Sequence, residues 1–128
     1  MAKPIRQSVT FAASPQQVYK ALMDSRTHAK FTRSPARISR RVGGKFTAYG
    51  GYIEGIQLTL IRNKKIVQSW RGSDWPKGYY SRATFVLTKV KGGTRLRFTH
   101  SGVPARHHAS IKRGWLDHYW TPMKALLE

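Results

Sequence analysis

Two groups of residues in this chain could do chemistry: its histidines, and its large excess of arginine and lysine. His100, His107, His108 and His118 gather toward the C-terminal end, where imidazoles could ligate a metal or shuttle protons. Their spacing argues against both. Adjacent histidines on a helix point about 100° apart, and no carboxylate lies four residues on from His107 or His108 to complete a chelate. Asp117 beside His118 has no neighbouring nucleophile such as cysteine, and Ser101 and Ser110 lack an oxyanion-binding context. Asp24, Glu54 and Asp74 are scattered, so no carboxylate pair is set up for acid–base work. With no cysteine there is no thiolate nucleophile, no disulfide partner and no cysteine-based zinc site, as suits a reducing compartment. The expectation is a chain with no catalytic residue, no metal and no cofactor.

The cations point elsewhere. Twenty-four Lys and Arg face five Asp and Glu, a formal net charge of +19. That lies far outside the magnitude of roughly 2 to 8 suited to a small soluble domain, and it disfavours the compact state unless a counter-charge offsets it. The charge runs through the whole chain, not a tail. Arg26, Lys30, Arg33, Arg37, Arg40, Arg41 and Lys45 fall within twenty residues, and no acid lies between Asp24 and Glu54. Arginine grips phosphate oxygens bidentately through its planar fork, so this stretch reads as a phosphate-contacting surface or as a solvated basic face. Arg82, Arg95 and Arg97 alternate with core-type residues and should share the outer side of a hairpin, with Lys65 and Arg71 beside them. Such a face suits contact with a nucleic-acid backbone, though edge lysines also serve to block aggregation. Trp75, next to Pro76 in a turn, is the stacking candidate, whereas Trp70 has core parity. A generic high-pI or engineered supercharged protein would have the same composition.

These side chains need elements to hold them. Ser8–Phe11 alternates as a strand. Ser14-Pro15-Gln16-Gln17 is a helix start, with Ser14 as cap and Gln17 closing a capping box. Asp24-Ser25 ends that helix and starts a second short one through Phe31. From Pro35 to His100 the period is two, broken by Gly43-Gly44, Gly50-Gly51, Trp75-Pro76-Lys77-Gly78 and Gly92-Gly93, the last a hairpin turn. Past Pro104 the spacing of Ile111, Trp115, Tyr119 and Met123 is helical, with Pro122 placed to kink the helix. Trp115, Tyr119 and Met123 would face the sheet, lining a ligand cavity or filling it. The predicted fold class is α+β: a curved antiparallel sheet around a long C-terminal helix, as one domain over residues 1–128. Phe85, Leu96, Phe98 and Trp115 are predicted to be buried. No apolar run approaches the length of a membrane span, and the N-terminal MAKPIRQSVTF has no apolar leader segment.

Several motifs sharpen this into a resemblance. Val42-Gly43-Gly44-Lys45-Phe46, then Tyr49-Gly50-Gly51-Tyr52-Ile53-Glu54-Gly55, is similar to the Gly-Gly-x-Phe and Tyr-x-Gly-Tyr-Ile-x-Gly segments of the Aha-type family, the homologues of the activator of the heat-shock protein 90 ATPase. Lys65-Ile66-Val67-Gln68-Ser69-Trp70-Arg71, Gly93-Thr94-Arg95-Leu96, Thr99–Pro104 and Gly114-Trp115 with His118-Tyr119-Trp120 resemble further segments of it, over roughly Ile5 to Leu127. The resemblance implies the helix-grip fold of the START-like (SRPBCC) superfamily. It also implies activities ranging from contact with a heat-shock chaperone to binding small apolar ligands between helix and sheet. Where that family is rich in acids, this chain carries Gln16-Gln17, Lys20, Arg33, Gly50, Lys77, Arg82 and Ala105-Arg106. The expected function is therefore a non-catalytic, cytoplasmic domain that binds a polyanion, RNA first and conceivably within a ribosome. The chaperone partner and the apolar ligand are the alternatives.

Overall fold

A computed structural model describes residues 3–128. Met1 and Ala2, which begin the stretch read as lacking a leader, lie outside the described residues. The elements are β1 (Ile5–Phe11), α1 (Pro15–Met23), α2 (Ser25–Thr32), β2 (Arg37–Ile38), β3 (Lys45–Ala48), β4 (Ile53–Ile61), β5 (Lys65–Gly72), β6 (Ser81–Val90) and β7 (Gly93–Ser101), then α3 (His108–Trp115), a π-helical turn (Leu116–Trp120) and α4 (Thr121–Leu127). Short 3₁₀ turns occupy Tyr49–Gly51 and Ala105–His107. The strands form one antiparallel sheet in the order β1-β7-β6-β5-β4-β3-β2, and α1–α2 link its two edges. The expected α+β helix-grip architecture is what the chain adopts.

Local signals set these boundaries. Ser14 Oγ accepts the Gln17 N–H at 3.2 Å while Gln17 Oε1 accepts the Ser14 N–H at 2.9 Å, the two halves of the capping box. Asp24 closes α1 and opens α2, accepting the Thr27 N–H at 2.9 Å. The β6–β7 turn is Lys91-Gly92, with Gly92 at φ 81; Gly93, expected in the turn, instead starts β7 opposite Val90. Gly55 is required for a different reason. A Cβ there would run into the Ser69 carbonyl and the Phe46 ring, so β4 can lie against β5 only with glycine at that point.

Phe85, Leu96, Phe98 and Trp115 are all buried, together with Phe11, Ile66, Trp70, Trp120 and Met123. Polar groups inside this core are matched in a chain. Trp115 Nε1–H donates to His100 Nδ1 at 3.0 Å, which leaves His100 Nε2–H to donate to Ser81 Oγ at 2.7 Å, and Ser81 in turn donates to the Trp70 carbonyl at 2.6 Å. Burial pushes the His100 imidazole down to about 3, so it works as a neutral relay of hydrogen bonds.

The C-terminal helix continues without a break through Pro122 by local repair. Pro122 has no N–H to give the carbonyl four residues back, that of His118. The chain widens into the π turn there, and Tyr49 Oη–H donates to the His118 carbonyl at 2.9 Å instead. Burial raises the Tyr49 hydroxyl to about 12, which keeps it a donor. Tyr49→Phe should therefore destabilise the domain by about 1 kcal/mol. Urea denaturation is the measurement; an unchanged midpoint would show that water replaces the bond without loss.

No helix among the described residues is long and apolar enough to cross a membrane.

Candidate functional site

The basic segment from Arg26 to Lys45 is distributed over α2, β2, β3 and the loop between those strands. Arg26 and Lys30 stand on α2, and with Lys20 of α1 and Arg40 they line a polar cleft of about 650 Å³. Asp24 also borders that cleft, but its carboxylate is tied down by the hydroxyl and N–H of Thr27, which hold it below the usual carboxylate range. Arg33 ends α2 in the left-handed region (φ 57), which turns the chain away. Arg33 borders a second cleft with Asp117 and His118, and Lys30 lines both clefts. Arg37 and Lys45 lie on the outer face of the sheet, Arg37 opposite Thr47 and Lys45 opposite Ile56, and Arg41 is exposed in the loop between them.

The outer face does collect Arg82, Arg95 and Arg97, all exposed, with half-exposed Lys65 one strand further on. Two expectations need correction here. Arg71 has the outer parity but is not free: its side chain is only 13% exposed, lies 3.8 Å from Glu54 and donates to the Trp75 carbonyl at 2.7 Å. It fastens the β5–β6 loop to the sheet. Trp75, expected to be open for stacking, is 3% exposed. The loop folds it against Trp70, with ring centroids 5.4 Å apart, and stacks it on His107 at 6.0 Å with a 29° tilt. An indole gains more from that apolar slot than from water, and Arg71 holds the backbone that carries it.

The helix–sheet interior is filled. Trp115, Tyr119 and Met123 are buried, and what remains between Leu22, His28, Gln68, Phe85, Trp115 and Tyr119 is about 10 Å³, room for about one water. His28 Nε2 meets Tyr119 Oη at 2.9 Å there. Burial pushes the His28 imidazole down to about 4 against a smaller pull from the Leu22 and Ala21 carbonyls. An open apolar groove of about 340 Å³ runs along the outer end of the helix, with Tyr49, Tyr52, Trp70, Ile111 and Trp115 on its walls. Met123 lies deeper, outside that groove. Among the described residues no three His, Asp or Glu side chains are grouped to hold a metal.

One feature went unread in the sequence. Ile56, Leu58 and Ile61 of β4 are 38%, 38% and 47% exposed. β3 pairs only with Ile53 to Ile56, and Gln57 bonds to Gly43 and Gly44, so from Leu58 onward the β4 ladder continues with β5 alone. A bulge between Gln57 and Thr59 breaks the alternation. On the outer face Lys45 stands opposite Ile56 and Lys65 opposite Ile61. The signal was present as aliphatic residues at Ile56 and Leu58 around a core-facing polar Gln57, the reverse of a normal half-buried strand.

Comparison with known proteins matches this arrangement to one family. The family model described as Activator of Hsp90 ATPase homolog 1-like protein matches residues 12–128. The human activator of 90 kDa heat shock protein ATPase homolog 1 is 30% identical over 115 residues, 90% of this chain and 34% of that protein. The Dictyostelium discoideum homolog is 32% identical over 114 residues, 88% of this chain and 30% of that protein. The chain thus spans about a third of the length of the curated relatives it matches. The crystal structure of an HSP90 activator from Plasmodium falciparum superposes with a TM-score of 0.92 at 27% identity, covering 98% of this chain and 96% of that one. The chain belongs to the family of Activator of Hsp90 ATPase homolog 1-like proteins.

Proposed function

We propose that this chain is a non-catalytic docking domain that binds a 90-kDa heat-shock chaperone through the outer face of β4. The observation that carries the reading is the aliphatic strip of Ile56, Leu58 and Ile61, rimmed by Lys45 and Lys65. Isolated exposed aliphatics need no explanation, but three on one strand whose ladder is open on one side have the makeup of a protein contact. A charge of +19 favours an acidic partner surface and speeds encounter with it. The names of the relatives, activators of the 90 kDa heat shock protein ATPase, supply the class of partner. This chain spans about a third of those relatives, and for it the proposal is binding. The RNA or ribosome expected from the charge has no counterpart in those names.

Calorimetric titration against a purified 90-kDa heat-shock chaperone tests this. The native chain should bind, and the combined Ile56→Ser, Leu58→Ser, Ile61→Ser variant should bind at least about tenfold more weakly, about 1.4 kcal/mol. The fold should survive, because substitutions at exposed positions have small effects on stability. Absence of binding by the native chain, or equal affinity in the variant, would defeat the reading.

A further inference from the structure

The arginines of the outer face are ordered in a way that chaperone docking at β4 does not use. The register of β1, β7 and β6 places them in four successive rows across the sheet. The first row is Thr10–Arg95–Thr88 and the second Ser8–Arg97–Val86. The third is Arg6–Thr99–Thr84, and the fourth pairs Ser101 with Arg82. Each row holds one arginine, and each arginine is exposed. Rows on one face of a strand are spaced by about 6.8 Å, so the four arginines extend over roughly 20 Å along the strands, two on β7 and one on each strand beside it. Every row also offers a serine or threonine hydroxyl. Among the described residues none of the four arginines is within ion-pair distance of an acid; the Lys and Arg that are comprise Arg71, Arg113 and Lys124, the last of which also donates to the Thr10 carbonyl at the edge of the first row. Glu54, the one acid in the strands, lies on β4 one row beyond Arg82, where it accepts from Tyr80 at 2.7 Å and pairs with Arg71.

We propose that this track binds double-stranded RNA along its phosphate backbone. Unpaired arginines on four successive rows fit a run of anions, with each guanidinium free to take a phosphate bidentately. The sheet face carries no projecting helix or ribbon to enter the deep major groove of B-form DNA. The A-form minor groove is wide and shallow and presents 2′-hydroxyls at its surface. A broad face with serine and threonine hydroxyls beside its arginines matches both features. Recognition is by shape and charge, without base readout.

The test uses a fluorescent RNA duplex of scrambled sequence and a DNA duplex of the same sequence, titrated over a salt series. Four phosphate contacts give a log–log salt slope of about −3.6, so RNA affinity should fall about 150-fold between about 50 and about 200 mM salt. The Arg82→Gln, Arg95→Gln, Arg97→Gln variant should flatten that slope by about 2.7. The corresponding Arg→Lys variant should keep it, which separates lost charge from a lost fold. RNA should bind at least about tenfold more tightly than DNA. The Ile56→Ser, Leu58→Ser, Ile61→Ser variant should bind RNA as the native chain does, so failure of chaperone docking leaves this proposal standing, and the reverse. Equal affinity for DNA, displacement of RNA by polyglutamate at equal charge concentration, or an unchanged slope in the Arg→Gln variant would overturn it.

Discussion

Replacing Trp115 by alanine is expected to remove about 5 kcal/mol of stability. Two losses combine. Trp115 is 2% exposed and its ring packs against Phe98, Tyr119, Trp70 and Phe85, with the nearest centroids at 4.3 and 4.5 Å. Truncating a buried tryptophan to alanine costs roughly 3–5 kcal/mol through lost transfer energy and the cavity left behind. The same change removes the donor to His100 Nδ1, leaving a buried acceptor unmet at a further ~1–3 kcal/mol. Since whole domains are stable by only about 5–15 kcal/mol, Trp115→Ala should be largely unfolded or melt on the order of 20 °C lower. Trp115→Phe keeps most of the ring and loses only the donor, so it should fall by about 1–2 kcal/mol. Guanidinium unfolding of both variants separates packing from hydrogen bonding. Similar losses in the two would mean that the hydrogen bond dominates.

Acidification from pH 7.5 to pH 5 should destabilise the fold by about 4 kcal/mol, through His28 and His100. Both are buried, and burial holds them neutral down to about 4 and about 3. In the unfolded chain each takes up a proton near pH 6.5. Between pH 6.5 and about 4 the unfolded state therefore carries the extra protons, and stability rises with pH across that window. The contribution is fully present above pH 6.5 and is lost as pH falls, about 2 kcal/mol per histidine by pH 5 at 1.36 kcal/mol per unit of pKa difference. His28→Gln should remove about half of the pH dependence. A flat stability profile between pH 7.5 and 5 would show that one or both imidazoles are already charged in the fold.

Much of the fold was legible because its signals are local. The Ser14–Gln17 capping box, the double use of Asp24, and the alternation of Ala83–Leu87 against Leu96–Phe98 each depend on a few neighbouring residues, and each forms as read. The candidate sites were less legible, because they depend on contacts between distant segments. Trp75 reads as a loop-tip aromatic; only the approach of Trp70 and His107 gives it a place to bury. Arg71 was given the correct face, but the loop that returns over it cannot be inferred from parity. The seven cations between residues 26 and 45 look continuous in sequence, but the chain distributes them over α2, a loop and the outer face of β2 and β3. Arg82, Arg95 and Arg97 were legible as one hairpin face; Arg6 joins them only once β1 flanks β7. The β4 strip was hidden by a bulge that shifts the alternation midway along the strand.

Amide hydrogen exchange of the chain, alone and mixed with a purified 90-kDa heat-shock chaperone, bears most directly on the docking proposal. Past Gln57 the β4 ladder is paired only with β5, so amides on the open side from Leu58 to Ile61 should exchange readily in the free chain. Docking at Ile56, Leu58 and Ile61 should slow exchange across this stretch and at Lys45 and Lys65, and leave the outer rows of β1, β7 and β6 unchanged. Protection confined to another surface, or no protection at chaperone concentrations that saturate binding, would contradict the account.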